Sequence, residues 1–296
     1  MKPVLAYWVH DLEPVIIEFT DKIAVRWYGV AYVAGFLIAM GLLNLYWRKG
    51  RSPIAPRSQE NLVFALILGV MIGGRIGYFL FYDFGSLARN PLVLFQVWEG
   101  GMASHGGFLG VAIAAFWMAR RMKLPFLQLW DYCATMVPAG LMLGRIANFI
   151  NGELWGKVTD VPWAVIFPDS DPLVPVELIA PRHPSQLYAA VLEGLIPLIY
   201  IQWRFWKVTG RWTLDSGKKP KVQRPGSSVQ GPRYGHLAGE FLILYSLGRM
   251  IGEVFREPDA ELILSISRGT FYSIFLMLAG IGLILWTRSL TNAQSR

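Results

Sequence analysis

The stretch from 144 to 156, GRIANFINGELWG, places ionisable and amide side chains at the end of a long apolar run. Its polar members are Arg145, Asn148, Asn151 and Glu153. An ionisable side chain in or near hydrocarbon is costly unless a partner satisfies it. This stretch is therefore the first candidate for a functional site.

A second polar group lies on an apolar segment nearer the C-terminus. Tyr245, Arg249, Glu253 and Arg256 are spaced at i, i+4, i+8 and i+11. Residues at these spacings lie on one face of a helix. A structural i,i+4 ion pair between Arg249 and Glu253 is the alternative to a functional role, and the sequence leaves both open.

Arginines occur within three separate apolar segments, at Arg75, Arg145 and Arg249. Too few carboxylates stand beside them in sequence to neutralise all three, so we expect them to bind an anion. Arginine offers a planar fork of donors that suits phosphate, and it keeps its charge. At headgroup depth the available anion is a phospholipid phosphate, to which Asn148 and Asn151 can add neutral donors. For Arg75, a side chain that only extends to the membrane interface is the alternative.

One histidine is a candidate general base. His105 opens an apolar segment among glycines, and imidazole titrates near neutral pH. A cationic clamp with a base suits displacement at a carbon whose leaving group is a phosphate, because the clamp stabilises the charge that grows there. A structural interfacial histidine is the alternative. No cluster of His, Cys or Asp has metal-ligand spacing, so we predict no metal site.

The elements that must position these side chains are apolar segments of membrane-spanning length. The 296 residues are 54% hydrophobic and 16% charged, and several apolar blocks approach the ~20 residues that span hydrocarbon as a helix. We therefore predict an all-α integral membrane protein, one polytopic domain over 1–296 with seven transmembrane helices. The predicted spans are about 27–47, 61–82, 105–119, 126–147, 185–203, 237–255 and 270–287.

Three connecting segments are unusual. The proline-rich segment 151–184 predicts a small excursion on the outer side of the membrane. The segment 207–236 is rich in Gly, Pro, Ser and Lys, which predicts a mobile cytoplasmic loop. Residues 92–107, LVLFQVWEGGMASHGG, predict a re-entrant or interfacial stretch.

Basic residues determine the predicted orientation. They concentrate after the first, third, fifth and last spans, which places the N-terminus outside and the C-terminus in the cytoplasm. The net charge of +8 is distributed along these flanks. We therefore expect attraction to anionic lipid and no binding of nucleic acid.

Six stretches, in order, resemble those of the bacterial prolipoprotein diacylglyceryl transferases. They are RWYGVAY (26–32), GGRIGYFLFY (73–82), VWEGGMASHGG (97–107), GRIANFINGELWG (144–156), RHPSQLY (182–188) and GRMIGEVFREPD (248–259). The resemblance extends over nearly the whole chain, and the fourth stretch is the signature of that family.

This resemblance implies a multi-pass enzyme of the bacterial inner membrane that uses no cofactor. Such a transferase moves diacylglyceryl from phosphatidylglycerol to the thiol of the lipobox cysteine in a preprolipoprotein signal peptide. The product is a thioether, and glycerol 1-phosphate is released. This protein lipidation is the first step of bacterial lipoprotein maturation.

The resemblance also implies roles for individual residues. Tyr28, His105, Arg145, Asn148, Glu153, Gly156, Arg249 and Glu253 match positions that the family treats as functional, and Arg75 and Arg256 match further polar positions. Arg145 and Arg249 are expected to bind the donor phosphate, with His105 as a candidate base. The predicted site comprises catalytic His105, Arg145 and Arg249, and substrate-binding Tyr28, Arg75, Asn148, Asn151, Glu153, Gly156, Tyr245, Glu253 and Arg256.

The chain departs from the family pattern at two positions. Ala147 stands where the signature often has glycine. Ala189 stands where an acidic residue often follows RHPSQLY, so no role for that carboxylate is carried over.

Two other functions use the same arginines. Paired discontinuous spans and an internal repeat would support a transporter or flippase for an anionic lipid, and no repeat relates the two halves. A scaffold that only binds anionic lipid is the other alternative, and such a protein would bind the lipid without converting it to a product.

Overall fold

The helices of the computed structural model follow the apolar segments of the sequence. The structure describes residues 7–20, 23–96, 100–209, 211–213, 221–223, 234–258, 262–263 and 265–293. The helices are α1 (Trp27–Arg48), α2 (Pro56–Phe81), α3 (Phe84–Arg89), α4 (Ser104–Arg121), α5 (Phe126–Ile150), α6 (Ser185–Ala189), α7 (Ile196–Val208), α8 (His236–Phe255) and α9 (Arg268–Ala293).

Within these described residues, four helices are long and apolar enough to cross a membrane. They are Trp27–Arg48, Pro56–Phe81, Phe126–Ile150 and Arg268–Ser289. Proline at the first position of α2 suits a helix start, because its missing N–H would have no partner there. These helices support the prediction of a mostly helical membrane protein.

Residues 185–208 form one continuous helix that changes from α-helical to π-helical and back to α-helical geometry. Helix α6 runs into a π-helical segment, Ala190–Leu195, and then into α7. A π turn holds one more residue than an α turn and often marks a functional site. Glu193 lies in this segment and is fully buried.

Short strands accompany the helices, and the all-α prediction had not included them. They are β1 (Trp8–Val9), β2 (Val15–Thr20), β3 (Ile23–Arg26), β4 (Val165–Ile166), β5 (Arg211–Thr213) and β6 (Lys221–Gln223). Strands β1 and β4 pair in parallel, with Trp8 opposite Val165, whereas β2–β3 and β5–β6 are antiparallel. Most of the predicted mobile loop, 207–236, lies outside the described residues.

The predicted excursion, 151–184, forms a small hydrophobic core together with Tyr7. Tyr7, Ala164, Ile166 and Ile179 form one buried cluster. A second cluster joins the end of α5 to this segment through Phe149, Val165 and Phe167. The segment is therefore packed against the end of α5, which carries the first half of the 144–156 signature.

The chain divides into two compact units. The first comprises Met1–Ile38, Cys133–Val208 and Ser228–Arg296, and the second comprises Ala39–Tyr132 and Thr209–Ser227. In the second unit α2 packs on α4. In the first unit α8 packs on α9 and on the π-helical segment.

Candidate active site

A small cavity in the first unit collects polar side chains from helices that are distant in sequence. Its lining residues are Arg145, Asn148, Leu154, Ser185, Gln186, Ala189, Glu193, Arg249, Gly252 and Arg256. The enclosed space suffices for about one water molecule. Side chains must therefore move before a group as large as a phosphate can enter.

One buried carboxylate joins two of the predicted arginines. Arg145 donates from Nη2 and Nε to Oε2 of Glu193, at 2.9 and 3.2 Å. Arg249 donates from Nη1 to Oε1 of the same carboxylate at 3.2 Å. The glutamate side chain is 0% exposed, whereas those of Arg145 and Arg249 are 19% and 16% exposed. Both guanidinium groups are thus oriented by one inaccessible anion.

Close helix crossings place Glu193 between the arginines. A Cβ on Gly194 would lie 2.6 Å from Cβ of Met142 on α5, and a Cβ on Gly248 would meet the carbonyl oxygen of Leu192. Only glycine allows backbones to approach so closely. Helices α5 and α8 therefore contact the π-helical segment on either side of Glu193.

Arg249 has a second anionic partner on its own helix. Its Nη2 lies 2.6 Å from Oε1 of Glu253, an ion pair that lacks the alignment of a hydrogen bond. Gly269, at the start of α9, lies close to this pair, since a Cβ there would be 2.5 Å from Oε1 of Glu253. Tyr245, four residues before Arg249 on α8, lies near Arg145. The polar face predicted on α8 therefore meets the signature arginine.

The prediction that too few carboxylates neighbour these arginines is wrong for Arg145 and Arg249, which both contact Glu193. Glu193 is not among the predicted site residues, and it is 48 residues from Arg145 and 56 from Arg249 in sequence. The signal was present, because Glu193 is an ionisable residue inside the apolar run LYAAVLEGLIPLIY. Arg256, which is 9% exposed at the end of α8, adds a further cation to the cavity lining.

The other polar residues of the signature form a separate network. Nδ2 of Asn148 donates to Oε1 of Glu153 at 2.8 Å and also to the hydroxyl of Tyr28. Asn151 donates to the same glutamate oxygen at 3.4 Å. Gln186 donates to the main-chain carbonyl of Glu153 at 2.6 Å. Because Asn148 also lines the cavity, this network connects α1 to the arginine pair.

Gly156 lies where three segments cross. A Cβ at this position would lie 2.6 Å from Cβ of His183 and from the carbonyl oxygen of Phe255. The Gly156 N–H donates to the carbonyl of His183 at 2.9 Å, and Gly156 also forms a β-bridge with Arg256. This glycine therefore joins the signature to the end of α8, where Arg256 lines the cavity.

His183 lies beside this crossing and outside the helical spans. Its Nδ1 is 3.2 Å from the hydroxyl of Tyr188. Burial, and secondly the positive charge of Lys157, lower the pKa of His183 below its ordinary value. The neutral imidazole is therefore favoured in the folded protein.

The remaining predicted residues, Arg75 and His105, belong to the second unit. Both Nη atoms of Arg75 donate to main-chain carbonyls, including those of Val93 and Gln96 at 2.6 Å. His105 is the second residue of α4 and is exposed. In the part of the chain that the structure describes, no group of three or more His, Cys, Asp or Glu side chains is placed to hold a metal ion.

Comparisons with known proteins agree on one family. The family described as "Prolipoprotein diacylglyceryl transferase" matches residues 14–286. The chain is similar to proteins named phosphatidylglycerol–prolipoprotein diacylglyceryl transferase from three bacteria. The relative from Photobacterium profundum is 45% identical over 278 residues, 93% of each chain. The relative from Photorhabdus laumondii is 43% identical over 293 residues, 93% of this chain and 92% of its own. The relative from Vibrio cholerae is 42% identical over 280 residues, 94% of this chain and 92% of its own. This chain belongs to the prolipoprotein diacylglyceryl transferase family.

Proposed function

We propose that this protein transfers diacylglyceryl from phosphatidylglycerol to the lipobox cysteine of a preprolipoprotein. Membership of the family over residues 14–286 carries this proposal. The arginine pair on Glu193 supports it, because a buried cationic site suits the phosphate of the donor lipid. The comparisons do not favour the alternative of a lipid transporter or flippase.

The reaction is a displacement at carbon. The cysteine sulfur forms a bond to the glycerol carbon of the diacylglyceryl group, and the bond between that carbon and the phosphate oxygen breaks. The leaving glycerol 1-phosphate takes the electron pair, and the thiol proton passes to a base. The carbon is activated only by its leaving group, so stabilisation of charge on the phosphate is expected to be the main catalytic effect.

Arg145 and Arg249 are proposed to bind that phosphate. Glu193 holds both guanidinium groups in place before the lipid arrives, which lowers the cost of ordering them. Tyr245 lies near Arg145, and Glu253 pairs with Arg249 and orients it. Rotation of the arginines from the carboxylate toward the lipid would enlarge the small cavity.

The signature network is proposed to form the second part of the binding site. Glu153 receives hydrogen bonds from Asn148 and Asn151, and Asn148 also contacts Tyr28. The proposed role of this network is to bind the glycerol headgroup or the peptide near the cysteine. Gly156 packs at the edge of this part of the site through its β-bridge with Arg256. Arg256 adds a positive charge to the lining of the cavity.

His105 is proposed as the base that accepts the thiol proton. A thiol is a weak nucleophile while protonated, with a pKa of about 8.5, so a base or a cationic site must favour the thiolate. An exposed imidazole at the start of α4 is accessible for this step. No cofactor is required by the balanced reaction.

The proposed setting is the bacterial inner membrane. We expect seven crossing helices, with the N-terminus and the segment 151–184 in the periplasm and the C-terminus in the cytoplasm. The apolar helices support membrane insertion, and the basic flanking residues support the orientation. Both substrates reach the site from the bilayer.

A lipidation assay tests the proposed function. The purified protein is incubated with a lipobox peptide and vesicles of either phosphatidylglycerol or phosphatidylethanolamine. We expect the peptide mass to increase by one diacylglyceryl group with phosphatidylglycerol alone, and a peptide with serine in place of the cysteine to stay unmodified. Unmodified cysteine peptide under all conditions, or lipid movement without product, would contradict the proposal.

A further inference from the structure

Arg75 is buried against main-chain carbonyls and differs in this respect from the cavity arginines. The residue is 4% exposed on α2. Its Nη2 donates to the carbonyls of Val93 and Gln96 at 2.6 Å, and its Nη1 donates to those of Gly100 and Gly101. Both terminal nitrogens are thus bonded to carbonyls that precede α4, two of which belong to the segment 100–103.

The conformation of that segment matches this contact. Gly100 and Gly101 both have a φ of +78°, a region that glycine adopts without strain. A Cβ on Gly101 would lie 2.7 Å from Cε1 of Tyr78, one helical turn beyond Arg75 on α2. The Ala103 N–H donates to the carbonyl of Gly74 at 2.9 Å. The segment is therefore fixed to one short stretch of α2.

Helix α4 begins directly after this attachment. Ala103 is its N-cap, and His105 is its second residue. On the other side of His105, a Cβ on Gly106 would meet the carbonyl oxygen of Gly73. The backbone of His105 is thus held to α2 on both sides, at Ala103 and at Gly106.

We infer that Arg75 is a positioning residue for His105 and not a ligand of the lipid phosphate. The inference deepens the proposed function, on which it rests. To bind a phosphate, the guanidinium of the buried Arg75 would have to leave the four carbonyls to which its terminal nitrogens donate. Hydrogen bonds from a charged donor are among the stronger ones in proteins, so this release is costly. In its present place it holds the segment from which the proposed base projects.

Steady-state kinetics of Arg75→Gln separate the two roles. If Arg75 positions the base, we expect kcat to fall by about 10²-fold while KM and direct binding of phosphatidylglycerol vesicles stay unchanged. If Arg75 is a phosphate ligand, KM rises, vesicle binding weakens, and the inference is overturned. Arg89→Gln is the matched control, because the Arg89 side chain is exposed and bonds Gly85 on its own helix.

A double-mutant cycle tests whether Arg75 acts through His105. In prolonged single-turnover incubations, Arg75→Gln should slow the otherwise wild-type protein but should not slow a His105→Gln protein further. An equal loss in both backgrounds overturns the inference. Gly101→Ala, whose new Cβ would lie 2.7 Å from Cε1 of Tyr78 at a φ of +78°, should reproduce the kinetic effect of Arg75→Gln.

Hydrogen exchange gives a readout that needs no turnover. Amides of residues 100–107 should exchange faster in Arg75→Gln than in the wild-type and Arg89→Gln proteins, and unchanged exchange overturns the inference. If the wild-type protein lipidates no peptide, the proposed function fails, and exchange then decides alone whether Arg75 holds the segment.

Discussion

Arg145 and Arg249 bind different oxygens of the same buried carboxylate, that of Glu193. The contact brings α5 and α8 together on the π-helical segment. It also explains how two arginines are tolerated between apolar helices, since the shared anion compensates part of their charge. A phosphate that enters the cavity would compete with Glu193 for the same donors.

Replacement of Glu193 by glutamine is predicted to separate lipid binding from catalysis. Glutamine keeps the size of the side chain but removes the anion, so the phosphate no longer competes for the arginines. We expect a lower KM for phosphatidylglycerol together with a kcat lower by about 10²-fold, because the guanidinium groups lose their orientation. Lipidation kinetics in mixed micelles measure both values.

The same variant should be less stable. Removing one partner of a buried ion pair costs about 3 kcal/mol, which detergent-solubilised protein would show as a lower midpoint of thermal unfolding. Glu177→Gln is the control, since Glu177 is exposed in the short turn Val176–Leu178. Unchanged stability and kinetics in Glu193→Gln would remove Glu193 from the account.

Replacement of Arg249 by lysine tests the need for a planar fork. Lysine retains the charge but cannot reach Glu193, Glu253 and a phosphate with one rigid group. We expect the rate of peptide lipidation to fall by about 10²–10³-fold, the effect of losing one preorganised donor. Arg288→Lys, at an exposed position near the end of α9, should keep full activity. Full activity of Arg249→Lys would mean that charge alone suffices.

Replacement of Gly248 by alanine is predicted to open the contact between α8 and the π-helical segment. The added methyl group would meet the carbonyl oxygen of Leu192, which would move Arg249 away from Glu193. Overpacking of this kind costs about 1–3 kcal/mol, so the thermal midpoint and the activity should both fall. In Gly282→Ala, where nothing lies within 4 Å of the new Cβ, neither should fall. Equal behaviour of the two variants would show that this crossing does not set the site.

The stability of the region around His183 is predicted to decrease in acid. Its pKa is lower in the folded protein than in the unfolded chain, mainly through burial and then through Lys157. The unfolded chain therefore binds more protons, and stability is lost as pH falls through the unfolded pKa of about 6.5. The thermal midpoint should decline less between neutral and mildly acidic pH in His183→Gln than in the wild-type protein. An identical decline would contradict this assignment.

Much of the helical framework could be predicted because hydrophobic length is a strong signal. The span predicted at 126–147 corresponds to Phe126–Ile150, and that at 27–47 corresponds to Trp27–Arg48. The π-helical segment could not be predicted, because its single extra residue barely alters the hydrophobic pattern. The short strands were missed because their pairing depends on contacts between distant segments, such as Trp8 with Val165.

The site was predictable only in part. The polar residues of the signature could be found from their types, since charges in apolar runs are conspicuous. The link through Glu193 depends on helix crossings at Gly194 and Gly248, which the sequence does not reveal. The carbonyl partners of Arg75 were equally hidden, because main-chain acceptors have no sequence signature.

Binding of phosphatidylglycerol to the purified protein tests the central claim most directly. Native mass spectrometry would compare the wild-type protein, the Arg145→Gln/Arg249→Gln double variant and Arg75→Gln, each with phosphatidylglycerol and with phosphatidylethanolamine. The account predicts that the wild-type protein and Arg75→Gln retain phosphatidylglycerol selectively and that the double variant does not. Retention by the double variant equal to that of the wild-type protein would contradict the claim that this arginine pair holds the donor phosphate.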